Sequence, residues 1–289
     1  MNCPLCQSNQ TVKVFSALNT HGRHFWDDKE HFDLKRCLDC EVIYISGLTI
    51  NDEYYRKYYP PEYYNGDKTC AFLGHFLVMF SRRFFKSKEK LILRALNRRK
   101  NEKIHILDIG CGRGDFLNSL SDRFEKYGIE INPQGYEACL KQQVHVYNRD
   151  LKTLALNAGF FDCVTLWHVI EHLTEPVETL REIRRILKKD GVLVIATPNA
   201  GSLGFRLGKN LWFHLDSPRH LLLFGEKGIK LLLNKAGFKA VGRGNTFYDY
   251  PLDLFWSLRN SLFKFIVYPL YPVFKYLSHE TLIVVCRKA

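Results

Sequence analysis

A chain of 289 residues, 46% of them hydrophobic, has room for one large α/β domain plus a small module, with ample material for a core. Its formal net charge of +12 suits phosphates, an anionic lipid surface or nucleic acid. Nine cysteines argue for a reducing compartment, no charged and apolar leader opens the sequence, and no apolar run reaches the roughly 20 residues that span a bilayer, so a cytoplasmic chain is expected.

The first motif is a pair of C-x-x-C knuckles, Cys3-Pro4-Leu5-Cys6 and Cys37-Leu38-Asp39-Cys40. Each knuckle offers two thiolates from one tight turn, and two turns complete a tetrahedron with no open position, the pattern of a structural zinc ribbon. A redox pair is the alternative, and His21, His24 or His31 are available to support a metal. A unit of this size has too small a core to fold unaided, and a metal offsets the deficit. The expected ribbon covers residues 1–46. Chelation is expected to melt residues 1–45 and leave cofactor binding partly intact.

Residues 47–90 read as a Tyr-rich linker and helical cover. Six tyrosines fall in residues 54–64, where Pro60 and Pro61 preclude a continuous helix. Residues 71–80 are apolar. Ten Lys and Arg against Glu89 and Glu102 then make residues 82–103 a basic stretch, read either as an anion-binding surface or as a solvated helix face.

The most informative stretch is residues 106–115, ILDIGCGRGD. A strand runs into a turn with Gly110, Gly112 and Gly114 at alternate positions, and the helical pattern of Phe116, Leu117 and Leu120 follows. Turn glycines let backbone N–H groups approach a nucleoside. Glu130, at the end of a second strand-like run, is spaced to accept ribose hydroxyls. A dinucleotide fingerprint would be G-x-G-x-x-G; here Asp115 takes the third glycine's place, repels a pyrophosphate and suits a ligand carrying an ammonium group.

The order Asp108, Gly110, Gly112, Gly114, Glu130 resembles the class I S-adenosylmethionine-dependent methyltransferases, over roughly residues 90–289. The resemblance implies an α/β, Rossmann-like, doubly wound and mostly parallel seven-stranded sheet beside the small N-terminal zinc ribbon. It implies that Asp108, Gly110, Cys111, Gly112, Gly114, Glu130, Ile131, Asp150, Leu151 and Trp167 bind the cofactor, with Asp150 on the adenine amino group and the Leu151 N–H on the ring. Tyrosine-rich segments cover the cofactor in such enzymes; a packed linker is the alternative here.

Further strands are expected over 144–150, 160–167, 191–197, 239–245 and 281–288, with a helix over 175–189 stopped by Asp190-Gly191. Between the last two strands lies a hydrophobic insertion at about 250–277, broken by Pro269 and Pro272. It suits a greasy substrate, a dimer face, the inner membrane surface, or simple packing on the sheet.

Methyl transfer to a hydroxyl needs alignment and a base. His168, directly after the fourth strand, is the first candidate. If a helix starts there, His168, Glu171 and His172 share one face, with Glu171 orienting an imidazole. A carboxylate between imidazoles is also a grip for a divalent metal. Small-RNA 2′-O-methyltransferases use E-x-x-E-H plus a later histidine in this way; this chain has H-x-x-E-H and His220, departing at the first residue. Structural bracing is the remaining alternative. Residues 212–221 resemble a segment of bacterial methyltransferases related to ubiquinone-pathway O-methyltransferases, and would roof the acceptor pocket. Asn199, Arg219 and His220 are candidate acceptor contacts, with an Asp216–Arg219 ion pair as the plainer reading. Neither an N-P-P-Y-like stretch nor a Pro-Cys pair follows strand four, which argues against base or glutamine amino methylation and cytosine-C5 chemistry.

The expected function is S-adenosylmethionine-dependent methyl transfer to a hydroxyl of a small molecule, sugar or lipid-linked glycan intermediate, with peripheral membrane contact. The alternatives are an RNA 2′-O-methyltransferase and a non-catalytic S-adenosylmethionine-binding zinc-ribbon protein.

Overall fold

The computed structural model describes residues 2–18, 30–59, 74–97, 102–142, 144–244 and 253–289, with the side chains of 74–82 excepted. His21, His24, Tyr63, Tyr64 and residues 245–252 lie outside the described residues.

The chain opens with antiparallel strands β1 (Thr11–Leu18), β2 (His31–Cys37) and β3 (Ile43–Ile45). Helix α1 (Asp52–Tyr58) follows; Asn51 caps it by accepting from the Tyr54 N–H, and its acidic first turn and basic last turn complement the helix dipole. It buries Tyr54 and Tyr58. The basic stretch falls largely on α2 (Gly74–Leu96).

The alternating part comprises β4 (Ile104–Ile109), α3 (Asp115–Ser119), β5 (Phe124–Ile129), α4 (Pro133–Leu140), β6 (His145–Tyr147), β7 (Phe161–Trp167), α5 (Pro176–Ile186) and β8 (Leu187–Pro198). After it come α6 (Leu203–Gly208), β9 (Leu222–Leu223), α7 (Glu226–Lys235), β10 (Phe238–Arg243), α8 (Asp253–Ser257), α9 (Lys264–Val267), α10 (Tyr271–Ser278) and β11 (Thr281–Lys288). The large sheet has seven strands in the order β10-β11-β8-β7-β4-β5-β6, as expected for a Rossmann-like methyltransferase fold. Neighbours from β8 to β6 run parallel, while β11 is antiparallel to both β8 and β10. The middle strands are apolar on both faces because helices cover both.

One expectation needs correction. The predicted helix over 175–189 ends at Ile186, because Leu187 turns extended, pairs with Phe161 in the sheet and is fully buried. The register with β7 shifts after Leu187, where Lys188 reaches Asp162 at 2.8 Å, and pairing resumes at Val192. Burial of one leucine outweighs the helical pattern of the lysines after it.

Strand β9 leaves the methyltransferase fold to pair with β3, giving a second sheet in the order β1-β2-β3-β9. The two parts share one apolar cluster, in which Cys3, Cys37, Cys40 and Val42 pack with Phe224, Ile229 and Leu232. At the other end of the chain, α8–α10 expose Leu262 (82%), Phe265 (70%), Ile266 (60%) and Tyr276 (60%). Between Asp253 and Glu280 there is no acidic residue, while Arg259, Lys264 and Lys275 are basic. Among the described residues, no helix is long and apolar enough to cross a membrane.

Candidate active site

The carboxyl edge of the parallel strands gathers the predicted cofactor residues in sheet order: Asp150 beyond β6, Glu130 beyond β5, Asp108 and the glycine turn at β4, and Trp167 ending β7. Ligands of open α/β sheets bind at this edge. The turn is stitched down by the N–H groups of Gly110 and Cys111, which donate to the Ile129 carbonyl at 2.8 and 3.1 Å. Gly110 has a positive φ, and a Cβ there would lie 2.6 Å from the Val169 side chain. The Cys111 side chain points away from the edge, with its Sγ 3.7 Å from that of Cys139.

Glu130 is buried, and burial raises its pKa. One carboxylate oxygen accepts from Gly112 N at 2.8 Å and the other from Asn132 N at 2.7 Å. Asn148 donates to the Glu130 and Ile131 carbonyls, while the Ile131 side chain points outward at 64% exposure. The Asp150 carboxylate caps a 3₁₀ turn by accepting from Lys152 N, and Leu151 beneath it is buried. Burial and the Asp150 charge raise the Tyr55 phenol, and Tyr59 Oη lies 3.0 Å from His172 Nδ1, so α1 and the residue after it overlie this edge.

Asp108 is buried and accepts from Thr165 Oγ1 at 2.6 Å. Desolvation pushes its pKa up to about 7, against the help of the Thr165 hydroxyl and the Lys88 charge. The folded protein therefore favours the protonated acid and loses that contribution as pH rises from about 4 through 7. An ammonium ligand favours the ionised form. Affinity for S-adenosylhomocysteine is then expected to rise from about pH 6 to about pH 8, by up to roughly tenfold per unit below the pKa, and to flatten above it. Titration calorimetry across pH checks this; an Asp108→Asn protein that keeps the slope would remove Asp108 as its source.

Lys88 was not foreseen. Its Nζ lies 4.0 Å from the ring centres of both Phe84 and Trp167 and 5.4 Å from that of Phe116. The sequence signal was available as aromatics three and four residues upstream on one helix face.

Beyond β7 the expected helix does not form. His168 has φ +56, and 170–172 make a single 3₁₀ turn. His168 Nδ1 nonetheless reaches Glu171 Oε1 at 3.4 Å. His172 Nδ1 turns to the Arg219 carbonyl at 3.0 Å. His220 arrives from the roof segment, with Nε2 at 3.9 Å from Glu171 Oε1. Glu171 is fully buried. Desolvation alone would raise it, but His168, His220 and His172 hold it down at about 2. Burial, with the neighbouring His172, pushes His220 down to about 3. The resulting state is an ionised carboxylate beside a neutral His220.

Two candidate acceptor contacts are corrected. Arg219 is fully buried, with Nε bonded to both Asp216 oxygens at 3.0 and 3.1 Å and Nη1 on the Tyr58 carbonyl. Asn199 donates to the His279 carbonyl and accepts from Gly201 N. Both side chains fasten loops, because a buried polar group is stable only when bonded. The roof also holds a network with no local signature: His214 Nε2 meets Asp253 at 3.1 Å, and Lys275 meets it at 2.7 Å.

At the N-terminus, Cys3, Cys6, Cys37 and Cys40 converge with their sulfurs within 4.8 Å of one another. The Cys3–Cys40 and Cys6–Cys37 separations of 3.5 and 3.4 Å are far beyond a disulfide bond and suit four thiolates around one ion.

Residues 80–242 match the model of a methyltransferase domain family, and the chain belongs to that family. It is 29% identical over 106 residues to the ubiquinone biosynthesis O-methyltransferase of Haemophilus ducreyi, covering 32% of this chain and 45% of that one. It is 27% identical over 179 residues to the tRNA U34 carboxymethyltransferase of Aeromonas hydrophila, covering 55% and 52%. The chain thus spans about half the length of these relatives. Among solved structures, the Burkholderia thailandensis 1,6-didemethyltoxoflavin-N1-methyltransferase, with 1,6-didemethyltoxoflavin and S-adenosylhomocysteine bound, aligns at a TM-score of 0.52 with 14% identity, over 87% of this chain and 97% of that one. That likeness is one of fold alone.

Proposed function

We propose that this protein transfers a methyl group from S-adenosylmethionine to a hydroxyl of a small molecule, sugar or lipid-linked glycan intermediate. The observation that carries the reading is the placing of Asp150, Glu130 and Asp108 along one sheet edge, next to the buried Glu171 and its imidazoles. The cofactor fits this edge on the chain's own terms: the turn at Gly110 has no room for a Cβ, and a buried carboxylate at Asp108 suits an ammonium group. When bound, S-adenosylmethionine supplies an electrophilic methyl on a sulfonium. Glu130 accepts the ribose hydroxyls, Asp150 and the Leu151 N–H take the adenine, and Asp108 takes the amino group.

The acceptor side needs a group to receive the hydroxyl proton. With Nδ1–H directed at Glu171, His168 has Nε2 as its basic atom, and the proton goes there. Tyr55 and Tyr59 exclude water from above. The acid-free apolar surface of α8–α10, with Arg259 and Lys264 on it, favours a lipid-linked acceptor and contact with an anionic membrane face. Four cysteines hold one structural zinc within residues 1–46, residues 47–90 cover the site, and 91–289 form the catalytic domain with its insertion at about 250–277. RNA is the second reading, favoured by the basic stretch that α2 carries and by the tRNA-modifying relative.

Cell fractions incubated with methyl-labelled donor test the reading. Label is expected in lipid or glycan, and label in RNA instead would move the assignment to the second reading. His168→Ala should cut turnover by about 10²- to 10⁴-fold with S-adenosylhomocysteine affinity unchanged. Full turnover in that variant would remove His168 as the base.

A further inference from the structure

Glu171 is fully buried, and the nearest groups to its carboxylate are imidazoles at long range, His168 Nδ1 at 3.4 Å and His220 Nε2 at 3.9 Å, with no short hydrogen bond to either oxygen among the described residues. A buried carboxylate so weakly bonded is costly, and buried charges are normally paired closely or bound to a metal. What surrounds this one is imidazole. His172 and His220 each bring a ring nitrogen to it, and one ligand atom from each of the three residues lies within 4.8 Å of the others. The two rings meet edge to face, with centroids 4.6 Å apart.

The tautomers follow from the backbone. His172 Nδ1 lies 3.0 Å from the Arg219 carbonyl and His220 Nδ1 lies 2.8 Å from the His214 carbonyl. A carbonyl only accepts, so each Nδ1 carries the proton, and Tyr59 Oη, also 3.0 Å from His172 Nδ1, accepts from that same N–H. The lone pair of each neutral ring is then on Nε2. An imidazole anchored through Nδ1–H to a backbone carbonyl is the arrangement that orients metal-ligating histidines. Both anchoring carbonyls belong to the roof segment, and the Leu221 N–H ties that segment to the Glu171 carbonyl at 2.9 Å. The three donors are thus held by backbone rather than by one another. Other charges nearby are already engaged: Asp216, whose Oδ2 is 3.8 Å from His220 Nε2, is bonded to Arg219. His168, 3.4 Å from Glu171, adds a further imidazole and no opposing cation unless protonated.

We propose that Glu171, His172 and His220 bind one divalent first-row transition-metal ion, with coordination positions left open toward the acceptor. Two nitrogens and one carboxylate suit Mn²⁺, Fe²⁺, Co²⁺ or Zn²⁺ better than Mg²⁺ or Ca²⁺, which favour all-oxygen sets. The contrast with the four-cysteine cluster is chemical: four thiolates close a shell, whereas three ligands leave room for substrate. The acceptor this favours is one with two adjacent oxygens able to chelate, such as a vicinal diol or a catechol. That last step rests on the proposed methyl transfer, but occupancy of the site does not.

The test uses the full chain with its cysteine site filled with zinc and the zinc counted by atomic emission. Mn²⁺, a poor competitor for thiolates, is then titrated and its free signal followed by electron paramagnetic resonance. One additional Mn²⁺ per chain is expected, together with a rise in melting temperature. Both effects should disappear in Glu171→Gln and in His220→Gln, near-isosteric changes, while retained S-adenosylhomocysteine binding shows those variants to be folded. Absence of saturable Mn²⁺ and Co²⁺ binding, or equal binding in the variants, overturns the inference. Labelled methyl transfer by the same preparation is read separately, so a failed metal site and a failed methyltransferase reading give different results.

Discussion

Alanine in place of Glu130 is expected to weaken S-adenosylhomocysteine binding by about 2–4 kcal/mol, roughly 30- to 1,000-fold. Two charge-assisted bonds to the ribose would be lost. So would the brace of the glycine turn, because the same carboxylate accepts from Gly112 N and Asn132 N. Glu130→Gln retains one acceptor oxygen and should fall between the two. Calorimetry with the product decides, and wild-type affinity in the alanine protein would show that the ligand does not engage this edge. The matching steric experiment is Gly110→Ala, whose methyl group would meet the Val169 side chain at 2.6 Å.

Removal of the zinc proposed for the four cysteines should have the widest effect. Structural zinc contributes on the order of 10 kcal/mol to small zinc modules, comparable with the whole stability of an ordinary domain. The sequence alone suggests that chelation would melt residues 1–45 and partly spare the cofactor site. The pairing of β3 with β9, and the cluster shared between Val42 and Ile229, argue for coupling instead. Chelation, or Cys40→Ser, is expected to lower the melting temperature of the full chain and to weaken cofactor binding in the same transition. Wild-type affinity for S-adenosylhomocysteine after complete zinc loss would show that the two parts are energetically separate.

The two experiments probe sites of different legibility. The proposed cofactor edge is legible in the sequence because its parts are local: Asp108, the glycines and Glu130 fall within one strand-turn-helix-strand unit, where spacing follows from element length. The cysteine pairs were readable because two donors per turn is a covalent pattern. Even locally, competition misled in one place. The lysines after Ile186 continue a helical pattern, and only the pairing of Leu187 with Phe161 and its burial explain why the chain leaves it.

The alternating fold, the glycine turn at the strand edge and the four-thiol cluster were all legible in the order of residues, since each depends on periodicity or spacing over a few tens of residues at most. Tertiary structure alone decided which polar residues serve loops and which face the site. Arg219 is occupied by Asp216, Lys88 is enclosed by Trp167, and His220 is brought to Glu171 across 49 positions of chain. The reason is that a buried polar group takes whatever partner the packed chain puts within about 3–4 Å, and that distance is not encoded in the order of residues.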